Sequence, residues 1–188
     1  MKEILLSKHG KHRGKYVALV DDGDFDRANK HDWHVNIRIT KGVKYVTVSR
    51  SCYYKDGTRV RQKLETFIMG NPGKGFVHDH KDRNPLNNQR DNLRKCTPKE
   101  NDKNRGSRSN TSSIYKGVSW KVNDKKWLSR ICCDGKCTFI GYFIDETEAA
   151  VAYDKKAIEL HGEFAYLNFP QIKTPDNKCY QQVLDFGI

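Results

Sequence analysis

No stretch of this chain approaches the roughly 18 to 20 apolar residues that a membrane-crossing helix needs. The N-terminal "MKEILLSKHGKHRGK" carries charge where a signal peptide has its apolar core. The expectation is a cytoplasmic protein with no membrane partner. Cys-x-x-Cys pairs are also missing. The six cysteines, Cys52, Cys96, Cys132, Cys133, Cys137 and Cys179, lack the short paired spacing of a structural zinc site, and "CCDGKC" comes nearest. In a reducing cytosol they are expected to be free thiols, two or three of them half-buried on strands. Acids are scarce relative to bases. Lys plus Arg is 35 against 23 Asp plus Glu, a formal net charge of +12 and a pI near 9.4. That balance points to a polyanionic partner, nucleic acid before any other. Internal repeats are absent too. The 188 residues suffice for one large domain or two to three small ones.

What is present begins with strands. "KYVALV" is β-rich, and "DDGDFD" after it reads as a turn cluster. "WHVNIRI" and "KYVTVSR" alternate apolar and polar residues across a "TKG" turn. "CYYKDGTRVRQKLETFIM" adds a hairpin with Asp56-Gly57 at its tip, and "GNPGKG" then breaks the pattern. "DKNRGSRSNTSS" is polar and aperiodic, a linker. "IYKGVSW", "KKWLSRICC" and "KCTFIGYF" read as three strands, with "DGK" turning the last two. "DETEAAVAYDKKAIELHG" is helical, with Ala149, Ala152, Tyr153, Ala157 and Leu160 on one face and Gly162 as its stop.

The densest chemistry lies in "VHDHKDRNPLNNQRDNLRKCTPKEN", residues 77–101. "GFVHDH" is a strand that delivers Asp79 and His80 at its exit. "RNPLNN" turns, and "DNLRKC" returns as a second strand. "TPKEN" starts a helix: Thr97 caps, Pro98 takes the first helical position, and Glu100 closes a capping box. A strand-strand-helix unit brings Asp79 and Asn101 to one point. Two oxygen donors that leave most positions open suit Mg²⁺ (or Mn²⁺). His80 can take a proton from an attacking water.

Asp79-His80, Asn92 and Asn101 at this spacing resemble the HNH endonuclease family, in particular the phage and intron-encoded homing type. The resemblance covers about 30 residues, including "NPLNNQRDNLR". It implies a ββα-metal finger in which His80 is the general base, Asp79 and Asn101 hold the metal, and Asn92 ties the loop. It also implies a protein of the host-cell cytoplasm if a phage encodes it. Two departures stand out. The family places valine directly before Asp-His, whereas His78 intervenes here and is an alternative base. Relatives read Leu-His-Arg upstream, where this chain has Glu65 and Thr66. Arg90, Arg94, Lys95, Lys103 and Arg105 stand where phosphates would pass.

Residues 114–170 read as a three-stranded antiparallel sheet with a helix on one face. "YKGV", "KW", "GYF", "EAAVAYDKKA" and "LNFP" resemble the Apetala-type, ethylene-response-factor DNA-binding domain. That family reads duplex DNA with the open face of its sheet. The matching positions are Lys116, Ser119, Lys121, Arg130, Cys132, Cys137 and Phe139, with Ser119 and both cysteines in place of expected arginines. Trp127 and Tyr142 read as packing residues.

The expected fold is therefore α+β. A β-rich region (1–62) precedes the finger (63–105), a basic linker (106–113), the sheet domain (114–170) and a tail (171–188). The expected protein is a metal-dependent endonuclease of double-stranded DNA, a monomer or a transient dimer on its substrate. The alternative is a non-catalytic DNA-binding regulator whose finger has decayed.

Overall fold

A computed structural model describes residues 1–40, 42–107, 111–133 and 135–170. Part of the expected linker and the whole 171–188 tail, with Cys179, lie outside the described residues. The fold is mixed, with small sheets and few helices, compatible with the α+β class. The chain divides into two compact units, Met1–Asp102 and Lys103–Ile188. Among the described residues no helix is long and apolar enough to cross a membrane.

In the first unit, β1 (Lys2–Leu5) pairs antiparallel with β2 (Val17–Val20). The "DDGDFD" stretch is not a turn: it opens helix α1 (Asp22–Asn29). Asp22 and Asp24 lie in its first turn, where acids meet the positive end of the helix dipole. Strands β3 (His34–Thr40), β4 (Val43–Tyr53) and β5 (Arg59–Lys63) form an antiparallel sheet in that order. The Asp56-Gly57 tip forms as expected, with Asp56 Oδ1 accepting from the Thr58 N–H. "LETFIM" leaves the hairpin as helix α2 (Leu64–Met69). Then come β6 (Val77–His80), β7 (Leu93–Cys96) and α3 (Pro98–Lys103).

One hydrophobic cluster joins these pieces, running from Ile4 and Leu6 through Ala28, Trp33 and Leu64 to Leu93. Trp33 is fully buried and its indole N–H donates to the Ala28 carbonyl, so its polar edge costs nothing to bury. Leu93 plants the returning strand of the hairpin in this core. The Leu19 N–H donates to the Leu86 carbonyl, and the Asn88 N–H donates to the Leu19 carbonyl. The hairpin loop is thereby stitched to β2.

In the second unit, β8 (Val118–Lys121), β9 (Lys126–Cys133) and β10 (Lys136–Phe143) make an antiparallel sheet with β9 in the middle. Helix α4 (Glu146–His161) is capped by Asp145, whose side chain accepts from the Glu148 N–H. Its Ala149, Ala150, Tyr153 and Ala157 pack on Val118 and Ile131. Leu160, expected on this face, is exposed. Gly117 sits at φ +80°, and a Cβ there would collide with the Tyr153 ring. Buried Asp154 accepts from the N–H groups of Asn168 and Phe169, fixing the end of the unit against α4.

The cysteines correct one expectation. Cys132 and Cys137 face each other across the β9–β10 ladder and form a disulfide. Sequence spacing did not show that two thiols five residues apart would become direct cross-strand partners. Cys52 and Cys96 are thiols outside any disulfide.

Candidate active site and nucleic-acid interface

The hairpin loop is a net of short polar side chains. Asp82 Oδ1 accepts from the Asn84 N–H and from Asn92 Nδ2, and Asp82 Oδ2 accepts from Asn87 Nδ2. Asn92 Oδ1 accepts from the Asp82 N–H, while its Nδ2 also donates to the Asn87 carbonyl. Asn92 thus ties the two ends of the loop and does not touch His80 through these bonds. The residue that does is Asn88, fully buried, with Oδ1 3.3 Å from His80 Nε2. Asn88 Nδ2 donates to the Pro85 carbonyl, which fixes the amide so that oxygen faces the imidazole. In the tautomer that donates from Nε2 to this oxygen, the ring lone pair is on Nδ1. Sequence reasoning missed Asn88. Its only signal was being the second asparagine of "LNN", where either one fits a turn.

The β6–β7 register sets the faces. Val77 pairs with Cys96, His78 with Lys95, Asp79 with Arg94 and His80 with Leu93. Neighbours along a strand alternate sides. His78, His80 and Lys95 therefore share one face, and Asp79, Arg94 and Cys96 share the other. On the second face, Arg94 Nε and Nη2 donate to Asp79 Oδ2 at 3.0 and 2.7 Å. Both side chains are under a tenth exposed. Helix α3 follows directly on β7. Its capping box forms, with the Thr97 N–H and Oγ1 donating to Glu100 Oε2 and the Glu100 N–H donating to Thr97 Oγ1. Burial first, and the Asp79 charge next, push the Cys96 thiol up to about 11. Asn101 is exposed, and its backbone N–H donates to the Thr97 carbonyl.

His78 is differently placed. Its Nδ1 is buried without a hydrogen-bond partner. Burial holds the imidazole below its ordinary range, against the opposing pull of the Glu65 carboxylate.

Residues 70–103, which contain this hairpin and helix, match the family model described as HNH endonuclease. Over 115 residues the chain is 40% identical to Protein 3.8 of Escherichia phage T7, covering 60% of this chain and 92% of that protein. It is 39% identical over 90 residues to an uncharacterized HNH endonuclease of Acanthamoeba polyphaga mimivirus, covering 48% of this chain and 46% of that one. The chain is a relative of the phage protein and carries an HNH endonuclease domain at residues 70–103. An ethylene-responsive transcription factor of Arabidopsis thaliana is 41% identical over 59 residues, 30% of this chain and 32% of the factor. The chain therefore spans most of the phage protein but less than half of the other two.

Within the HNH domain the basic residues divide. Arg90 and Arg94, expected at phosphates, are each held by a carboxylate of the first unit. Arg90 Nε and Nη2 donate to the buried carboxylate of Asp24, its Nη2 also to the Ile68 carbonyl, and its backbone N–H to Asp21 Oδ2. Arg27 holds Asp24 from the other side. Together these bonds clamp α1 and the end of α2 to the hairpin loop. Arg94 is spent on Asp79. Lys95 is exposed, its ammonium 4.2 Å from the Phe76 ring centroid, on the face that carries His80. Among the described residues no group of three or more His, Cys, Asp or Glu is gathered as a metal cluster.

In the second unit Arg105 is exposed. Lys116 is drawn inward, its ammonium donating to the Lys103 and Arg105 carbonyls and lying over Tyr166. The ladder register puts Ser119, Lys121, Arg130, Cys132, Cys137 and Phe139 on the sheet face opposite α4. Tyr142 joins them, 48% exposed and edge-on to Phe139, so it is not the packing residue expected. Trp127 does pack, against the Val118 cluster.

Proposed function

We infer that the chain is a metal-dependent endonuclease of double-stranded DNA, with residues 77–103 acting as a ββα-metal finger. The observation that carries this reading is His80, held at the exit of β6 by the buried Asn88 inside the stretch that matches the HNH family. His80 accepts a proton from the attacking water at Nδ1, and Asn88 holds the ring's orientation as it becomes cationic. Asp79 and Asn101 would hold Mg²⁺ or Mn²⁺, for which a carboxylate and an amide oxygen are suitable hard donors. That ion, when bound, supplies positive charge to the phosphate as it passes through its transition state. Arg94 keeps the Asp79 carboxylate aimed and compensated. Lys95 and Arg105 contact phosphates.

The reading extends to a homing-type enzyme in which residues 114–170 anchor the nuclease on DNA. In support, Lys121, Arg130 and Phe139 share one open sheet face. Lys116 organises the entry to that domain instead of touching DNA. A second reading, a DNA-binding regulator with an inactive finger, draws on the Asp79–Arg94 pair, which already satisfies the carboxylate. Incubation with supercoiled plasmid separates the two. Nicked or linear product in Mg²⁺ and none in EDTA supports the nuclease; intact plasmid under both conditions, with retained DNA binding, supports the regulator.

A further inference from the structure

The β3–β4–β5 sheet belongs to no part of the site described above. Its inner face sends Val35, Ile37, Val46 and Val48 into the core of the first unit. The register fixes the outer face: Arg38 lies beside Tyr45, Ser51 beside Arg61, Tyr53 beside Arg59, and Ser49 beside Lys63. The remaining outer positions are histidine, valine, hydroxyl and amide residues. No Asp or Glu occurs on this face of the three strands. Arg38 donates to Thr40 Oγ1 and Arg59 to Ser51 Oγ, so hydroxyls and not carboxylates steady them. Among the described residues no carboxylate pairs with Arg38, Arg59 or Arg61. Glu65, beyond the end of β5, lies 3.4 Å from Lys63, and Asp56 is in the turn that joins β4 to β5. Tyr45 and Tyr53 are 48% and 69% exposed.

A face kept for solubility mixes charges of both signs. This one carries a single sign, with aromatics between. We propose that the outer face of β3–β5 is a duplex-DNA contact surface, additional to the finger and to the 114–170 sheet. It rests on the endonuclease reading only for the choice of DNA as polyanion. The sheet is staggered: β3 and β5 meet β4 together only at the His34–Ser49–Lys63 row. Each end is therefore a two-stranded ribbon, the shape that a major groove about 12 Å wide admits. The Arg38–Tyr45 and Arg59–Tyr53 rows lie eight residues apart along β4, roughly 26 Å at about 3.3 Å per residue. That reach approaches one turn of B-DNA, about 34 Å. Single-stranded nucleic acid fits less well, because stacking platforms need aromatics within reach of successive bases and these tyrosines are at opposite ends.

The test uses the full chain and a 30-base-pair duplex, with affinity measured over a sodium chloride series. Arg38→Gln, Arg59→Gln and Arg61→Gln together should lower the slope of log affinity against log salt by about 2 to 3, at about 0.9 per phosphate contact. The matching triple lysine variant should restore it, which a folding defect would not. A glutamine variant with the wild-type slope overturns the proposal, as does a slope change seen with single-stranded RNA but not with the duplex. Wild-type plasmid cleavage is followed in parallel. A reduced slope in a protein that never cuts would refute the endonuclease reading and leave this surface standing; cleavage with an unchanged slope would do the reverse.

Discussion

Arg90→Ala distinguishes a structural clamp from a phosphate contact. The substitution removes two charge-assisted bonds to Asp24 and one to the Ile68 carbonyl. Breaking a fully buried ion pair costs about 3–5 kcal/mol because a bare charge is left inside. Two features reduce this here. Arg27 still holds Asp24, and the Arg90 side chain is itself 52% exposed, so solvent screens part of its charge. The expected loss is about 1–3 kcal/mol. For a unit of this size that is a fall in melting temperature of roughly 5–15 °C. The pH dependence carries a sign. Burial pushes the Asp24 carboxyl up, but its bonds to Arg90 and Arg27 outweigh that and hold it below the ordinary range. A depressed carboxyl adds stability above its unfolded pKa, and that stability is lost as pH falls through the folded value. In the alanine variant this acid-side loss should shrink. The assay is thermal melting by circular dichroism at several pH values, with the salt slope of DNA binding alongside. An unchanged melting temperature with a slope reduced by about 0.9 would refute the clamp and return Arg90 to the phosphates.

Asn92→Ala removes three bonds that close the hairpin loop and should cost about 1–3 kcal/mol, read by denaturant melts, and lower cleavage without changing the Mg²⁺ requirement. An altered metal requirement would give Asn92 a direct place in the chemistry. Gly117→Ala forces a Cβ into the Tyr153 ring from a left-handed backbone and should destabilise the second unit by about 2–4 kcal/mol. A variant that melts as wild type would refute that packing.

The elements that were legible in the sequence are those with local causes. The capping box announced α3, the Asp56-Gly57 pair its hairpin, and the alanine-rich stretch ending at Gly162 the helix α4. Those that were not legible depend on distant partners. Helix α1 hides behind three aspartates and a glycine, and Asp24 is held by Arg90, 66 residues away, as well as by Arg27 in its own helix. Helix α2 has only six residues, four of them apolar, too few for their period to separate helix from strand. The candidate site divides the same way. The positions of Asp79 and His80 on one strand, and of Asn101 on the next helix, follow from spacing. That Arg94 would bury itself against Asp79 follows from ladder register, which spacing alone leaves open. The stripe of Arg38, Arg59 and Arg61 likewise emerges only when β3, β4 and β5 are aligned.

The most direct measurement is the rate of supercoiled plasmid conversion in Mg²⁺ by wild type, His80→Ala and His78→Ala, each with the DNA fully bound. His80→Ala should cut about 10²–10⁴-fold more slowly with affinity little changed, as loss of a general base requires, while His78→Ala stays within a few-fold of wild type. Cleavage by His80→Ala within a few-fold of wild type would contradict the account, and a collapse confined to His78→Ala would move the base to the neighbouring histidine.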